Sequence, residues 1–557
     1  MPSRLPMSCL RQFTFGVMVL LSLCCLPLWS QEVSTELPSP VSSDETEIGD
    51  SVSERLRLVE EQNRRLTERL EQLAKEHEEQ IGRLVERLEK SATNSVFQEG
   101  GQPYDAVATA GFVSASEVDS HSPVPDYTEG MFSPLTSAPG FPESSSRSSS
   151  RSPLYASFGP GFQLKTKDDQ FSLQIHYESQ IEGRVWDPSR EDPGNSGFYL
   201  PRQRFFFTGN MTKNIEYEIS INRGLNNINL LNAYLNFHFD DRFEIRVGRF
   251  FTPFLYDQFA ISNYWLLTPE RSLFTTNLSL NRQIGAMAWG YLLDKQVDYA
   301  AGVFNGSRNS FESLNNNLDL VGYLNTRPFQ KSDAVPAARF LNLGTSFAFG
   351  YQNQAPSPAT FRIGAGSPDT AIPSTATTPF LILNPGVVER GDRALGSVHL
   401  AYFYKSLSLI SELQYGYGGY ASNVNPASAS VPFSGYYVSG GYFLTGEEVE
   451  RRTRVKPLRP LIPVDKNEPA GPGAWELAGR VSQLRVGNDI FDSGLADPSI
   501  WSNSATTTEL GVNWYWNDYL KFYAFWLHGE FGDPVQIRPG DLRQSVDMLW
   551  LRSQLYF

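Results

Sequence analysis

Cysteine is confined to the first thirty residues of this sequence, where Cys9, Cys24 and Cys25 lie. The same residues hold an uncharged apolar run from Phe13 to Trp29 that ends at a small residue, as is typical of a secretory signal peptide. We therefore expect residues 1–30 to be a signal peptide and the mature chain to have no disulfide or thiol chemistry. A retained anchor helix is the alternative.

Long apolar runs are absent from the rest of the chain. No other stretch offers the roughly 18 uncharged apolar residues that a membrane-spanning helix needs. An exported chain without such a helix can still enter a membrane as a closed β-barrel, because a closed barrel satisfies every backbone hydrogen bond in lipid.

An excess of positive charge is also missing. The chain has 47 Lys+Arg against 61 Asp+Glu, a formal net charge of −14. About −10 of this charge falls before Leu154 and about −4 after it. A chain of this charge has no basic surface for a nucleic acid, so we expect no nucleic-acid partner.

Motifs of catalysis are missing as well. The sequence has no G-x-S-x-G elbow, no H-E-x-x-H pair, no phosphate-binding glycine loop and no cysteine pair. His176, His238, His399 and His528 are scattered singly. The sequence therefore predicts that the protein is not an enzyme and has no catalytic residue, metal site or cofactor.

Three segments of different composition precede the main domain. We expect residues 31–51 to be disordered. Residues 52–90 are predicted to form a coiled coil of about five heptads, because their apolar residues recur at alternating spacings of three and four. Residues 91–153 are rich in serine and proline and are expected to be a flexible linker. The coiled coil predicts self-association, and an isolated amphipathic helix is the alternative.

A residue period of two dominates the chain from Leu154 to Phe557. In FSLQIHYESQIEGRVW, Phe171–Trp186, apolar residues occupy one parity and charged or polar residues the other. This alternation is typical of a β-strand with one apolar and one wet face. Similar segments recur to the last residue, and they are longer than the strands common in soluble sheets.

The length of this region fits a membrane barrel. Roughly 400 residues at about 25 per strand and connection give about 16 strands, enough to enclose an aqueous channel. The sequence thus predicts an all-β fold over 154–557, a transmembrane antiparallel β-barrel of about 16 strands, preceded by an α-helical coiled coil and a disordered linker. A soluble jelly roll with core aromatics is the alternative.

Several motifs of this region resemble the phosphate-selective porin O and P family. In chain order these are LNAYLNFHFDDRFEIRVGRFFTPF (231–254), PERSLF (269–274), NRQIGA (281–286), AAGVFNG (300–306), GGYFLTGE (440–447), AWELAGRVS (474–482), ELGVNWYWN (509–517) and LWLRSQLYF (549–557). The resemblance covers roughly 158–557 and leaves out the coiled coil and the linker.

The resemblance implies a 16-stranded trimeric barrel in the bacterial outer membrane with one loop folded into the lumen. Its implied function is passive diffusion of small solutes, with some members preferring anions such as phosphate. The terminal Phe557 is similar to the signal by which the barrel assembly machinery recognises outer-membrane strands. The expected partners are therefore a homotrimer, outer-membrane lipid and this machinery.

Candidate pore-lining and anion-binding residues follow from parity and from the constriction loop. An arginine keeps its charge and can hold phosphate or carboxylate with two hydrogen bonds. The candidates are Arg184, Arg202, Arg204, Arg246, Arg271, Arg282, Arg480 and Arg552. The same faces carry Glu178, Glu182, Glu216, Glu218, Glu244 and Glu476, so pairing of opposite charges without net selectivity is the alternative.

Three long insertions interrupt the strands. Phe250–Arg282 is expected to be the constriction loop, although it lacks the lysines expected of phosphate-selective members. The stretches 352–393 and 447–473 are expected to be surface loops. The second is basic, and we expect it to be solvated, with anion funnelling or lipopolysaccharide binding as alternatives.

The sequence as a whole predicts an outer-membrane porin whose coiled coil lies in the periplasm and reaches peptidoglycan. The alternative is a structural or adhesive protein in which the barrel is an anchor and the coiled coil tethers it to the cell wall.

Overall fold

The computed structural model describes residue 64 and residues 153–159, 161–186, 194–225, 227–364, 377–422 and 426–557. The chain divides into two units, Met1–Val118 and Asp119–Phe557, and all of these residues except Arg64 belong to the second. The predicted signal peptide, coiled coil and linker lie outside the described residues, apart from Arg64 and Pro153.

The described part of the second unit consists mainly of β-strands. In chain order, strands β1 to β20 are Leu154–Gly159, Gly161–Thr166, Ser172–Trp186, Gly197–Thr212, Ile215–Gly224, Asn227–Asp240, Phe243–Phe251, Arg282–Leu292, Val297–Phe304, Asp319–Thr326, Phe340–Gln354, Thr360–Ile363, Thr378–Ile382, Val388–Tyr404, Leu407–Ala421, Ala429–Phe443, Ala474–Val486, Ser504–Tyr515, Leu520–Arg538 and Asp541–Tyr556.

In the described part of the second unit the helices are few and short. Two α-helices, α1 (Leu273–Leu278) and α2 (Asp489–Asp492), a π-helical turn Tyr256–Ala260 and two 3₁₀ turns, Asn263–Trp265 and Pro336–Ala338, lie in the connections. None of the helices in the described ranges has the length and apolar character that a membrane crossing requires.

Sixteen of the described strands form a closed antiparallel barrel. Each strand from β3 to β11 and from β14 to β20 pairs with the next, and β14 follows β11. The last strand, β20, then pairs with β3, from Met548 opposite Trp186 to Tyr556 opposite Glu178. The predicted all-β barrel of about 16 strands is confirmed. Strands β12 and β13 pair separately with each other.

The alternation in β3 shows which face lies inside. Glu178, Gln180 and Glu182 are 0% exposed, whereas Ile181 and Val185 are each 47% exposed. Successive side chains of a strand point to opposite faces, so the charged residues face the lumen and the apolar residues face outward. An apolar outer surface around a polar lumen is the pattern that lipid requires.

The two ends of the barrel differ in the length of their connections. One end, the short-turn end, carries tight turns such as 213–214, 241–242 and 405–406, and the last residue Phe557. The other, the long-loop end, carries the connections 252–281 and 305–318 among others. In outer-membrane barrels the short turns face the periplasm and the long loops face outward.

Of the two predicted surface loops, the first is corrected by the structure. In the first, the connection between β11 and β14 turns into the barrel, where Phe361, Ile363, Phe380 and Leu381 are at most 1% exposed. These apolar side chains belong to the β12–β13 pair. The pair packs against the core inside the barrel, because exposure of apolar side chains to water is unfavourable.

Much of the second predicted surface loop is exposed, as expected, although Arg452 within it is buried. Residues 444–473, here called the β16–β17 connection, lie at the short-turn end, because four strands separate them from Phe557. This position is at the opposite end of the barrel from the long loops, where the alternatives of anion funnelling and lipopolysaccharide binding would act.

A hairpin outside the barrel covers the seam where it closes. Strand β2 pairs with β3 from Phe162 opposite Ile175 to Lys165 opposite Ser172, on the edge of β3 that β20 leaves uncovered. The Phe557 ring lies 5.9 Å from the ring of Phe158 and 6.1 Å from that of Phe162. The hairpin β1–β2 therefore packs against the terminal residue of the barrel.

Replacing Phe158 and Phe162 with serine is expected to lower the free energy of unfolding of the barrel by roughly 2 kcal/mol, because each aromatic pair contributes about 0.5–1.5 kcal/mol. The measurement is the temperature at which the folded barrel loses its compact electrophoretic mobility. Phe198→Ser is the control, since that ring is 89% exposed. Equal unfolding temperatures for all three proteins would show that the hairpin does not stabilise the seam.

Candidate functional site

The long connection between β7 and β8, Thr252–Asn281, folds into the barrel and is here called the inward loop. All its residues are buried except Ala260, which is half-buried. It contains the π-helical turn, one 3₁₀ turn and α1. The sequence predicts a constriction loop at this position, and the structure places the segment inside the lumen.

One anchor of the inward loop is an arginine pair on the barrel wall. Arg202 on β4 donates from Nη1 and Nη2 to the two carboxylate oxygens of Glu270, at 2.5 and 2.7 Å. Arg552 on β20 donates to the same carboxylate at 2.8 Å and also to the Pro269 carbonyl. Such charge-assisted, bidentate contacts are stronger and more directional than neutral hydrogen bonds.

The ionised form of Glu270 is favoured by these neighbours. Burial by itself raises the pKa of this carboxyl group, but the charges of Arg202 and Arg552 outweigh it and lower the pKa to about 2. The anchor therefore contributes fully above the ordinary carboxyl pKa of about 4.3 and is lost as the pH falls through about 2.

A second anchor of the inward loop lies on the opposite wall of the barrel, on β15 and β11. The Glu412 carboxylate on β15 accepts hydrogen bonds from the backbone N–H groups of Tyr256, at 3.0 Å, and Asp257, at 3.3 Å. The N–H of Leu255 donates to Ser346 Oγ on β11 at 3.0 Å. Leu255 has a φ of 68°, a strained conformation for leucine that persists only when its surroundings hold it. The inward loop is thus tied to opposite sides of the barrel.

Aromatic packing fills part of the lumen beside the first anchor. The Tyr264 ring stacks on Tyr556 with centroids 4.0 Å apart, and Phe206 meets Tyr264 edge to face at 6.3 Å. These rings are at most 5% exposed. The inward loop and the barrel wall therefore share an aromatic contact at this level.

All eight candidate arginines are buried, at most 8% exposed. Seven lie on strands, and Arg271 lies on the inward loop. The structure brings Arg202 and Arg552 together around Glu270. It also joins Arg552 to Arg184 through Glu182, and it places Arg480 against the Arg271 carbonyl.

Several of these arginines pair with carboxylates. Arg184 contacts Glu182 at 2.5 Å, Arg204 contacts Glu178 at 3.3 Å and Arg480 contacts Glu509 at 2.7 Å. Two of these carboxylates, Glu178 and Glu182, are on the predicted inward acidic face. These contacts favour the alternative in which opposite charges pair along the wall.

Two other candidates lie against aromatic rings, and Arg271 lies within the inward loop, 4.0 Å from the Asp257 carboxylate. The Arg246 guanidinium lies 4.2 Å from the Tyr234 ring, and that of Arg282 lies 3.6 Å from the Phe251 ring. Arg271 donates to the Ile261 carbonyl at 3.1 Å and holds the shape of the inward loop. A role of any of the eight in anion passage stays a prediction.

Arg249 is outside the lumen. Strand β7 continues past it to Phe251, so its parity directs it outward, as the alternation predicts. There its guanidinium lies 4.2 Å from the Phe311 ring and donates to the Ser310 carbonyl at 2.7 Å. The connection 305–318 therefore covers this charge.

The role of Arg452 is not evident from the sequence. It lies in the β16–β17 connection, is 4% exposed, and donates to Glu476 Oε1 at 2.7 Å and to the Trp265 carbonyl of the inward loop at 3.0 Å. Val449 and Val455 pack beside it in a small apolar cluster. The connection therefore enters the lumen from the short-turn end and meets the inward loop.

Metal binding finds no support in the described ranges, where no group of three or more His, Cys, Asp and Glu side chains could hold an ion.

The family of this chain is indicated by sequence comparison. The sequence model of the family described as "Phosphate-selective porin O and P" matches residues 171–557. Porin O of Pseudomonas aeruginosa is 29% identical over 115 residues, which are 21% of this chain and 25% of Porin O. The matched region thus spans about a quarter of the length of that relative.

Two solved structures of outer-membrane proteins are among those that match the chain. The anion-selective porin from Comamonas acidovorans is 11% identical, with 70% of this chain and 100% of that chain covered and a TM-score of 0.40. The outer membrane channel DcaP of Acinetobacter baumannii is 10% identical, with 71% and 99% covered and a TM-score of 0.41.

Proposed function

The chain belongs to the phosphate-selective porin O and P family, and from this premise we propose that it is an outer-membrane porin through which small hydrophilic solutes diffuse passively. The observation that carries the proposal is the closed 16-strand barrel with an apolar outer face, a charged lumen and a loop folded inward. This arrangement combines a lipid-compatible surface with a polar interior.

The orientation and partners follow the same reasoning. The short-turn end faces the periplasm, where the predicted coiled coil reaches peptidoglycan. The barrel assembles as a homotrimer and is inserted by the barrel assembly machinery, which recognises Phe557. These parts of the proposal rest on the family resemblance and on the general orientation of outer-membrane barrels.

A preference for anions is supported by the inward arginines. Arg246 lies against the Tyr234 ring and Asn236 Oδ1, and Arg282 lies against the Phe251 ring and Asn232 Oδ1. A guanidinium facing a passage attracts phosphate or carboxylate and repels cations.

A barrel that only anchors the protein is the second candidate. The inward loop crosses the lumen between two walls and is held there by the Glu270 and Glu412 anchors. A loop that obstructs the lumen would favour a structural or adhesive protein.

Planar-bilayer recording tests the proposal. The purified full chain is expected to produce discrete ohmic current steps, and its reversal potential in a salt gradient should lie on the anion side. Arg282→Ala should move the reversal potential toward cations. Absence of current steps would overturn the porin function and favour the anchor.

A further inference from the structure

The outer half of the β16–β17 connection, residues 457–473, stays at the rim of the barrel. The N–H of Leu461 donates to the Trp516 carbonyl at 2.7 Å, and Asn517 donates to the Ile462 carbonyl at 3.1 Å. Three prolines in the stretch PLRPLIPV limit its backbone freedom. This half is therefore a fixed surface along the turn between β18 and β19.

Tryptophans of the outer face lie directly beside it. The rings of Trp475 and Trp514 stack at 4.8 Å, and Trp516 lies 5.1 Å from Trp514. The indole N–H groups of Trp475 and Trp514 both donate to the Pro472 carbonyl, at 3.0 and 2.8 Å. Indole rings are enriched at the level of lipid headgroups.

Apolar side chains are displayed next to these tryptophans. Leu458, Ile462 and Val464 are 65%, 48% and 57% exposed. Exposure of apolar area to water is unfavourable, and insertion among acyl chains at the headgroup boundary relieves it. This half is thus suited to contact with a lipid surface.

Two cations flank the apolar side chains. Among the described residues, neither Arg459 nor Lys466 has a carboxylate partner, whereas Lys456 pairs with Glu468 at 3.4 Å. The base of the Arg459 side chain lies against Gly471, where a Cβ atom would come within 2.4 Å of Arg459 Cβ. Gly471 therefore allows the Arg459 side chain to be held at the rim.

We propose that residues 457–473 bind the phosphate headgroup of an anionic phospholipid in the leaflet at the short-turn end. Arg459 and Lys466 contact the phosphate, the indoles lie at headgroup level, and Leu458, Ile462 and Val464 contact acyl chains. This inference rests on the proposed membrane location and is independent of whether the barrel conducts.

The test is quenching of tryptophan fluorescence by brominated lipid. The full chain is reconstituted in phosphatidylcholine vesicles that contain brominated phosphatidylglycerol or, in parallel, brominated phosphatidylcholine. We expect stronger quenching by the brominated phosphatidylglycerol. Arg459→Gln with Lys466→Gln should weaken its apparent affinity about tenfold, since each cation near an anionic surface contributes severalfold.

The matched control is Lys213→Gln with Arg339→Gln, which removes one lysine and one arginine from other connections of the short-turn end. It is expected to keep the wild-type affinity. Equal quenching by the two lipids, or equal loss in both double variants, would overturn the proposal. Current recordings on the same samples show whether the barrel conducts. A failure of lipid binding can therefore be distinguished from a failure of the porin function.

Discussion

Glu270→Gln is expected to release the inward loop from the wall and to raise the single-channel conductance and the noise of the open current. The substitution leaves the Arg202 and Arg552 guanidinium groups buried without the carboxylate that they share. Removal of one partner of a buried ion pair costs about 3–5 kcal/mol. A loss of this size shifts the equilibrium between docked and undocked loop by roughly a hundredfold or more.

Glu218→Gln is the control for the loss of a lumen charge. Glu218 accepts hydrogen bonds from Asn232 and Tyr234, both on β6, so its substitution leaves the anchors of the inward loop in place. Conductance and noise should stay close to the wild-type values in this variant. If Glu270→Gln behaves in the same way, the arginine pair does not hold the loop.

Acidification of the wild-type protein should also release the inward loop from the barrel wall. Because the folded-state pKa of Glu270 is depressed to about 2, its anchor persists above about pH 4.3 and weakens as the pH falls toward 2. The wild-type conductance should therefore rise over this interval toward that of Glu270→Gln. Glu270→Gln lacks this carboxyl group, so its conductance should rise less over the same interval. Any rise that remains in the variant comes from other carboxyl groups, which titrate in the same range.

Arg452→Met is expected to lower the free energy of unfolding by about 3 kcal/mol, because it breaks the buried ion pair with Glu476, which keeps hydrogen bonds from Asn513 and Tyr515. It also removes the contact with the Trp265 carbonyl, which joins the β16–β17 connection to the inward loop. The measurement is the shift of the unfolding temperature, together with proteolysis of the connection in folded protein.

A double variant isolates the buried charge. Arg452→Met combined with Glu476→Gln removes both charges, and it should recover much of the lost stability. Lys456→Met is the control, since its pair with Glu468 is largely exposed and contributes about 0–1 kcal/mol. A double variant no more stable than Arg452→Met would show that the guanidinium acts through packing and its contact with Trp265 alone.

The alternation of residues was sufficient to predict much of the fold. The period of two in β3 places Glu178 and Glu182 inside and Ile181 outside, as observed. The same rule separates inward Arg246 from outward Arg249 on β7. Parity is local, so a single strand reveals its two faces without knowledge of its neighbours.

Partners across the barrel could not be predicted in this way. Arg552 and Glu182 form a hydrogen bond across 370 residues of sequence, and Glu270 joins Arg202 across 68. Such pairs depend on strand register and on the path of the inward loop, which the local pattern does not contain.

The end of the barrel at which the β16–β17 connection lies could have been predicted from the sequence. An even number of strands separates Ala474 from Phe557, so the connection before β17 must lie at the end where the chain stops. By contrast, the inward turn of the connection between β11 and β14 is signalled only by its short apolar runs, TFRI and TPFLI, which are hard to distinguish from surface strands.

The seam between β3 and β20 has a consequence for biosynthesis. Its two strands come from the beginning and the end of the domain, so the cylinder cannot be completed while the ribosome is still translating the last strand. A polypeptide truncated by a premature stop codon before Asp541 would keep two unpaired sheet edges, which are templates for aggregation. Nonsense mutations near the 3′ end of the coding sequence should therefore be as damaging as early ones.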